Sequence, residues 1–162
     1  MTKCVFAGTF DPFTIGHLFV VEECLKNYDK VIVALGINTE KTPFFTREER
    51  LNLLKETFKN NQRVEVVFFE GLLVDFMKKN EVFTTVRGIR DNKDLEYEKI
   101  MSRNNRNFWE QVNTEFVMVT GDIAKVSSTK VRDLVKQNLD ATEFIPVDAR
   151  ECFNNIVKTK TR

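Results

Sequence analysis

A chain of 162 residues, 42% hydrophobic and 30% charged, is long enough for one ordinary globular domain with a single buried core. Its formal net charge of +1 excludes a general nucleic-acid coat or a membrane-surface binder, since both need a clear basic excess. The longest apolar run, Val31 to Ile37, falls far short of the roughly 20 residues a membrane span takes. No charged-then-apolar leader opens the chain, so a cytoplasmic location is expected. Cys4, Cys24 and Cys152 are widely spaced with no C-x-x-C, which predicts reduced core thiols rather than a zinc site. One histidine leaves no basis for a His-based metal centre.

In chain order, Val5-Phe6-Ala7 reads as a short buried strand. It runs into the turn Gly8-Thr9-Phe10-Asp11-Pro12-Phe13-Thr14-Ile15-Gly16-His17, then into Leu18 to Tyr28, where Val20, Val21, Cys24, Leu25 and Tyr28 recur at helical spacing. Strand, turn and helix make the first half of a βα unit. Lys30 to Ile37 is a second buried strand, followed by a turn region, Asn38 to Phe45. Thr46 and Glu49 form a T-x-x-E capping box for a helix striped by Leu51, Leu54 and Phe58, which Asn60-Asn61-Gln62 ends. Strand three is Val64 to Phe69; Leu72, Leu73, Phe76 and Met77 mark a short helix; strand four is Phe83 to Val86. Arg87-Gly88-Ile89-Arg90 opens a polar segment before a long helix from about Asp94 to Trp109, and Phe116 to Val119 is strand five. Ser127-Ser128-Thr129 caps a helix carrying Val131, Leu134 and Val135. A last helix starts at Asp148, with Glu151 completing a second capping box and Phe153, Ile156 and Val157 on one side. Lys158 to Arg162 reads as a charged, frayed tail.

Strands that are continuous apolar runs, alternating with helices, predict a doubly wound, Rossmann-like α/β domain spanning 1–162. Its five-stranded parallel sheet has helices on both faces. Ligands of such sheets bind beyond the carboxyl ends of the strands, where strand order reverses. The segments after strands one, two, four and five should therefore meet, bringing Thr9 and His17, Lys41, Arg87 and Arg90, and Ser127 to Thr129 to one rim. Taken singly these are ordinary: a helix cap, solvated cations, and a wet helix face for Asp91, Asp94 and Glu98. Taken together, cations, hydroxyls at a helix N-terminus and a Gly-Thr turn with a histidine suit several phosphates.

The Gly8 to Pro12 turn with Thr14-Ile15-Gly16-His17 resembles the T-x-G-H signature of the nucleotidylyltransferase superfamily. Three further segments resemble those of the bacterial phosphopantetheine adenylyltransferase family. They are Lys41-Thr42-Pro43-Phe44-Phe45-Thr46-Arg47-Glu48-Glu49-Arg50, then Arg87-Gly88-Ile89-Arg90 with Asp94-Leu95-Glu96-Tyr97-Glu98, and Val126-Ser127-Ser128-Thr129 with Arg132. The resemblance implies a reaction in which the 4′-phosphate of phosphopantetheine attacks the α-phosphorus of ATP in line. Dephospho-coenzyme A and pyrophosphate are the products, and no covalent enzyme intermediate forms.

The same resemblance implies catalytic roles for His17 (transition-state stabiliser), Arg90 and Lys41. It implies an ATP site of Thr9, Phe10, His17, Gly88, Ile89, Arg90, Glu98 and the run Ile123, Ala124, Lys125, Val126, Ser127, Ser128 and Thr129. For the acceptor it implies Thr9, Lys41, Leu73 and Arg87. Mg²⁺ would accompany ATP and rely mainly on phosphate oxygens and water, with no dedicated carboxylate cage. Feedback by coenzyme A, a homohexamer, and no nucleic-acid or membrane partner are implied as well. Three positions depart from the family pattern: Ala7 stands where Pro is usual, Ile15 where Asn is common, and Ile123-Ala124-Lys125 where aromatics are frequent. Two alternatives stay open at the level of sequence. One is a nucleotidylyltransferase of the same fold that uses CTP or another phosphorylated acceptor; the other is a homologue that binds nucleotide or coenzyme A without catalysis.

Overall fold

A computed structural model of the chain describes residues 1–37 and 40–160; Asn38 and Thr39 of the expected turn region, and Thr161 and Arg162 of the expected tail, lie outside the described residues. The elements are β1 (Lys3–Gly8), α1 (Ile15–Leu25), β2 (Lys30–Gly36), α2 (Arg47–Phe58), β3 (Val64–Phe69), α3 (Leu73–Lys79), β4 (Thr84–Ile89), α4 (Asn92–Phe108), β5 (Asn113–Met118), α5 (Ser128–Lys136) and α6 (Arg150–Lys160). Short 3₁₀ turns occupy Gly121–Lys125, Thr142–Phe144 and Val147–Ala149. The sheet order is β3-β2-β1-β4-β5, every neighbouring pair parallel. This is the expected five-stranded Rossmann-like sheet.

The central strands β1 and β2 read as apolar runs because successive side chains leave opposite faces and both faces are covered there, whereas the edge strands β3 and β5 are only partly buried and carry Glu65 and Glu115. Cys4 and Phe6 of β1 join Val20, Val21 and Cys24 of α1 and Leu54 and Phe58 of α2. Val5 and Ala7 join Val74 and Met77 of α3 on the other face. A third cluster ties α2 (Leu53) to α5 (Val131, Val135) and α6 (Phe153) through Phe45 and Ile145.

The structure corrects four expectations. Arg87, Gly88 and Ile89 do not open a polar segment; they continue β4, opposite Phe116, Val117 and Met118 of β5. Gly88 is required there, since a Cβ would lie 2.9 Å from Cγ2 of Val20. α4 starts before Asp94, because the Asp91 carboxylate accepts the Asp94 amide at 2.8 Å and caps the helix. The expected Asp148–Glu151 box is replaced by a 3₁₀ turn in which the Ala149 amide donates to the Pro146 carbonyl at 2.9 Å, and α6 begins only at Arg150. Lys158 to Lys160 are not a frayed tail but the last turn of α6. The box at α2 is as expected: Thr46 Oγ1 accepts the Glu49 amide at 3.1 Å, and the Glu49 carboxylate accepts the Thr46 amide at 2.9 Å.

Candidate active site

Strand order reverses between β1 and β4, and a cavity of about 330 Å³ opens there beyond their carboxyl ends. Thr9 and Phe10 line it from the turn after β1 and His17 from the first turn of α1; Arg87 and Gly88 from β4 and Arg90 just beyond it; Asp94 and Glu98 from α4. Ile123, Val126 and Ser127 to Thr129 close it from the α5 side. A second cavity of about 450 Å³ adjoins it, lined by Lys41, Phe44, Arg50, Arg132 and Lys136. Thr9 lines both. Other residues suggested by the sequence stand elsewhere. Leu73 heads α3 against the Val5 and Ala7 core. Ile89 is fully buried, Ala124 packs on the β1–α1 core, and Lys125 faces solvent 3.8 Å from Asp122. Arg87 lines the first cavity and not the second, where Lys41 lies.

The chemistry of the first cavity centres on His17. The Thr14 amide donates to His17 Nδ1 at 3.0 Å, and Thr14 Oγ1 lies 3.2 Å from the same nitrogen. A backbone N–H can only donate, so Nδ1 carries a lone pair and the neutral ring has its proton on Nε2. The imidazole is boxed by aromatics: Phe13 stacks on it at 5.2 Å, Phe10 meets it edge-on at 5.2 Å, and Phe6 lies at 6.2 Å. Burial in this box, then the charges of Arg87 and Arg90, push its pKa down to about 3. His17 is therefore a neutral Nε2–H donor at physiological pH. Phe10 reaches its place with φ of 43°, in the left-handed region that a bulky residue enters at a cost of about 1–2 kcal/mol.

Two ion pairs shape the far wall. Arg87 is gripped bidentately by Glu98, Nε to Oε2 and Nη2 to Oε1 both at 3.0 Å, while its Nη1 donates to the Ala7 carbonyl at 2.6 Å. Glu98 does not lie on the wet helix face that it suggests when taken singly; it is 7% exposed, lines the cavity and joins α4 to β1 through Arg87. Arg90 is tied by its amide and Nε to Asp94, at 3.1 and 3.2 Å, leaving its outer guanidinium nitrogens for a ligand. At the head of α5, Ser127 Oγ accepts the Lys130 amide at 3.1 Å. The amides of Ser128 and Thr129 have no acceptor within the helix and form a ready anion site.

The wall between the cavities, Thr9 to Pro12, is fastened from three elements. Both Asp11 carboxylate oxygens accept backbone amides, from Phe44 at 2.9 Å and Phe45 at 2.8 Å. Arg50 of α2 donates to the Thr9 and Phe45 carbonyls at 2.9 and 3.0 Å. Arg132 of α5 donates to the Asp11 carbonyl at 2.8 Å and to Thr129 Oγ1 at 3.0 Å, and Ser128 Oγ donates to the Pro12 carbonyl at 2.7 Å. Reading the residues singly does not find the roles of Asp11, Arg50 or Lys136. Asp11 reads as turn chemistry beside Pro12, and nothing periodic marks its partners 33 and 34 residues later. Lys136 reads as a helix-end charge, yet it lines the second cavity with its ammonium 5.5 Å over the Phe44 ring.

The cytidylyltransferase-like family model matches residues 5–134. A phosphopantetheine adenylyltransferase of Campylobacter hominis is 38% identical over 145 residues, covering 90% of this chain and 91% of the relative. One of Bacteroides thetaiotaomicron is 40% identical over 146 residues, covering 90% and 96%. One of Campylobacter fetus is 38% identical over 149 residues, covering 92% and 94%. With the T-x-G-H histidine at the β1–β4 reversal and relatives of this likeness along nearly the whole chain, the protein belongs to the cytidylyltransferase-like family and, within it, to the phosphopantetheine adenylyltransferases.

Proposed function

We propose that this protein transfers the adenylyl group of ATP to 4′-phosphopantetheine, yielding dephospho-coenzyme A and pyrophosphate in coenzyme A synthesis. The observation that carries the proposal is the pair of cavities meeting at Thr9, one offering a neutral imidazole and a helix N-terminus, the other cationic side chains. ATP occupies the first cavity: Arg90 and the Ser128 and Thr129 amides take its phosphates, and apolar Ile123 and Val126 suit the adenine. The acceptor phosphate occupies the second, held by Lys41. An oxygen of that phosphate forms the new bond to the α-phosphorus as the bond to the β-phosphate oxygen breaks, and the bonding pair leaves with pyrophosphate. His17 Nε2–H donates to a non-bridging oxygen of the α-phosphate as negative charge gathers there. Glu98 acts through Arg87, holding that guanidinium at the rim between Ala7 and the nucleotide.

Mg²⁺ enters as part of the nucleotide. Among the described residues no group of three or more His, Cys, Asp or Glu could hold a metal ion, and Asp94 and Glu98 are each engaged by an arginine. Phosphate oxygens and water would then supply most of its ligands. A homo-oligomer, hexameric by family resemblance, belongs to the same reading. It is supported by α4, whose buried residue is Glu98 alone while Tyr97, Ile100, Met101 and Phe108 stand exposed on one side. Coenzyme A carries both an adenine nucleotide and a phosphopantetheine arm, so feedback by it follows from the two cavities. The cytoplasm is the compartment that suits three free cysteines; no helix among the described residues is long and apolar enough to cross a membrane.

The test is to supply ATP, Mg²⁺ and phosphopantetheine and to quantify dephospho-coenzyme A and pyrophosphate. Equal amounts of both are expected, with neither nucleotide product formed from CTP. Product from CTP alone, or ligand binding with no pyrophosphate released, overturns the proposal.

A further inference from the structure

The C-terminal lysine of α6 reaches the acceptor side of the site. Lys160 Nζ donates to the Phe44 carbonyl at 3.1 Å and pairs with Glu49 at 3.0 Å. It lies 5.2 Å from the Phe44 ring centroid and 5.3 Å from that of Phe45. Its side chain is 17% exposed, unusual for a lysine at the end of a helix. A single ammonium thus serves a carbonyl, a carboxylate and two aromatic faces. The partner it holds is not incidental. Phe44 lines the second cavity, and its amide is the one that Asp11 accepts at 2.9 Å. The residue is therefore pinned twice, at its N–H by the turn after β1 and at its C=O by the C-terminal helix. Lys41, Thr42 and Pro43, which precede it, are exposed, and the doubly held Phe44 is their anchor beside the cavity.

We infer that Lys160 is a positioning residue for the acceptor cavity: by holding Phe44 it places the Lys41 segment, and through it governs affinity for the phosphorylated acceptor. The inference rests on reading the second cavity as the acceptor site. It separates Lys160 from a mere staple of α6, because a staple would affect stability and both substrates alike, whereas this contact bears on one.

Steady-state kinetics of the full chain test it, varying phosphopantetheine at saturating ATP and then the reverse, for wild type, Lys160→Gln, Lys160→Arg and Phe153→Leu. Lys160→Gln is expected to raise the KM for phosphopantetheine about tenfold, with the KM for ATP changed by less than about twofold. Lys160→Arg, which keeps the charge and the donors, restores most of the affinity. Phe153→Leu, which trims the α6 core, lowers Tm without that selective shift. A Lys160→Gln enzyme with an unaltered KM for phosphopantetheine, or with both KM values rising together as stability falls, overturns the inference alone. Wild-type protein that forms no dephospho-coenzyme A overturns the function reading and this inference with it.

Discussion

At His17, one hydrogen bond decides the chemistry. The Thr14 amide at Nδ1 leaves Nε2 as the donor, and the aromatic box keeps the ring neutral. The chain has one histidine, so its ring resonances are unambiguous by NMR. In the ligand-free protein they should show the Nε2–H tautomer unchanged from pH 8 to 5; a titration midpoint near the usual 6.5 would show the box to be open. For His17→Ala, kcat should fall by about 10²–10³ with the KM for ATP nearly unchanged, as expected of a donor that acts on transition-state charge. A matching loss of ATP affinity would make His17 a ground-state contact instead. The T-x-G-H spacing makes this histidine legible in the sequence. The box is not legible: Phe6, Phe10 and Phe13 read as strand and turn residues, and Phe10 meets the imidazole from a left-handed φ.

At the scale of elements, β1 and β2 are readable because burial on both faces enforces apolar runs, and the α2 helix because its capping box is local. What the sequence hides are the contacts between elements. β4 reads as ending at Val86 because Arg87 and Gly88 have the chemistry of a turn; in fact the strand carries them to its carboxyl end. There Gly88 admits Val20 and Arg87 turns its guanidinium to Glu98 and Ala7. A polar residue at the strand end departs from the local rule where the strand meets the cavity. The Asp11 clamp is the same case across a longer span. Asp11→Ala leaves the Phe44 and Phe45 amides without their acceptor, and should cost about 2–4 kcal/mol of stability in urea unfolding. A loss below about 0.5 kcal/mol would mean that Arg50 and Arg132 hold the wall without it.

For the whole molecule, the depressed pKa of His17 links folding to pH. The unfolded chain takes up a proton on this ring near pH 6.5, and the folded chain only near 3, so the unfolded state binds more protons between those values. The stabilisation is complete above about pH 6.5 and is lost as pH falls towards 3. Asp29, held below the usual carboxylate range by hydrogen bonds from the Thr2 amide and hydroxyl, and Asp140, by the Thr142 hydroxyl and amide, add to the loss at the acid end. Urea midpoints should therefore drop between pH 7 and 5 in wild type, and the drop should shrink in His17→Gln; identical curves would remove His17 from the account. A last consequence attaches to Thr9, the residue that fronts both cavities. On the proposed function both guests reach this one residue, and their binding is then expected to be coupled. Whatever factor a non-hydrolysable ATP analogue applies to the dissociation constant of phosphopantetheine, phosphopantetheine must apply to that of the analogue. Calorimetric titrations run in either order should return that single factor, and Thr9→Ala should bring it close to one.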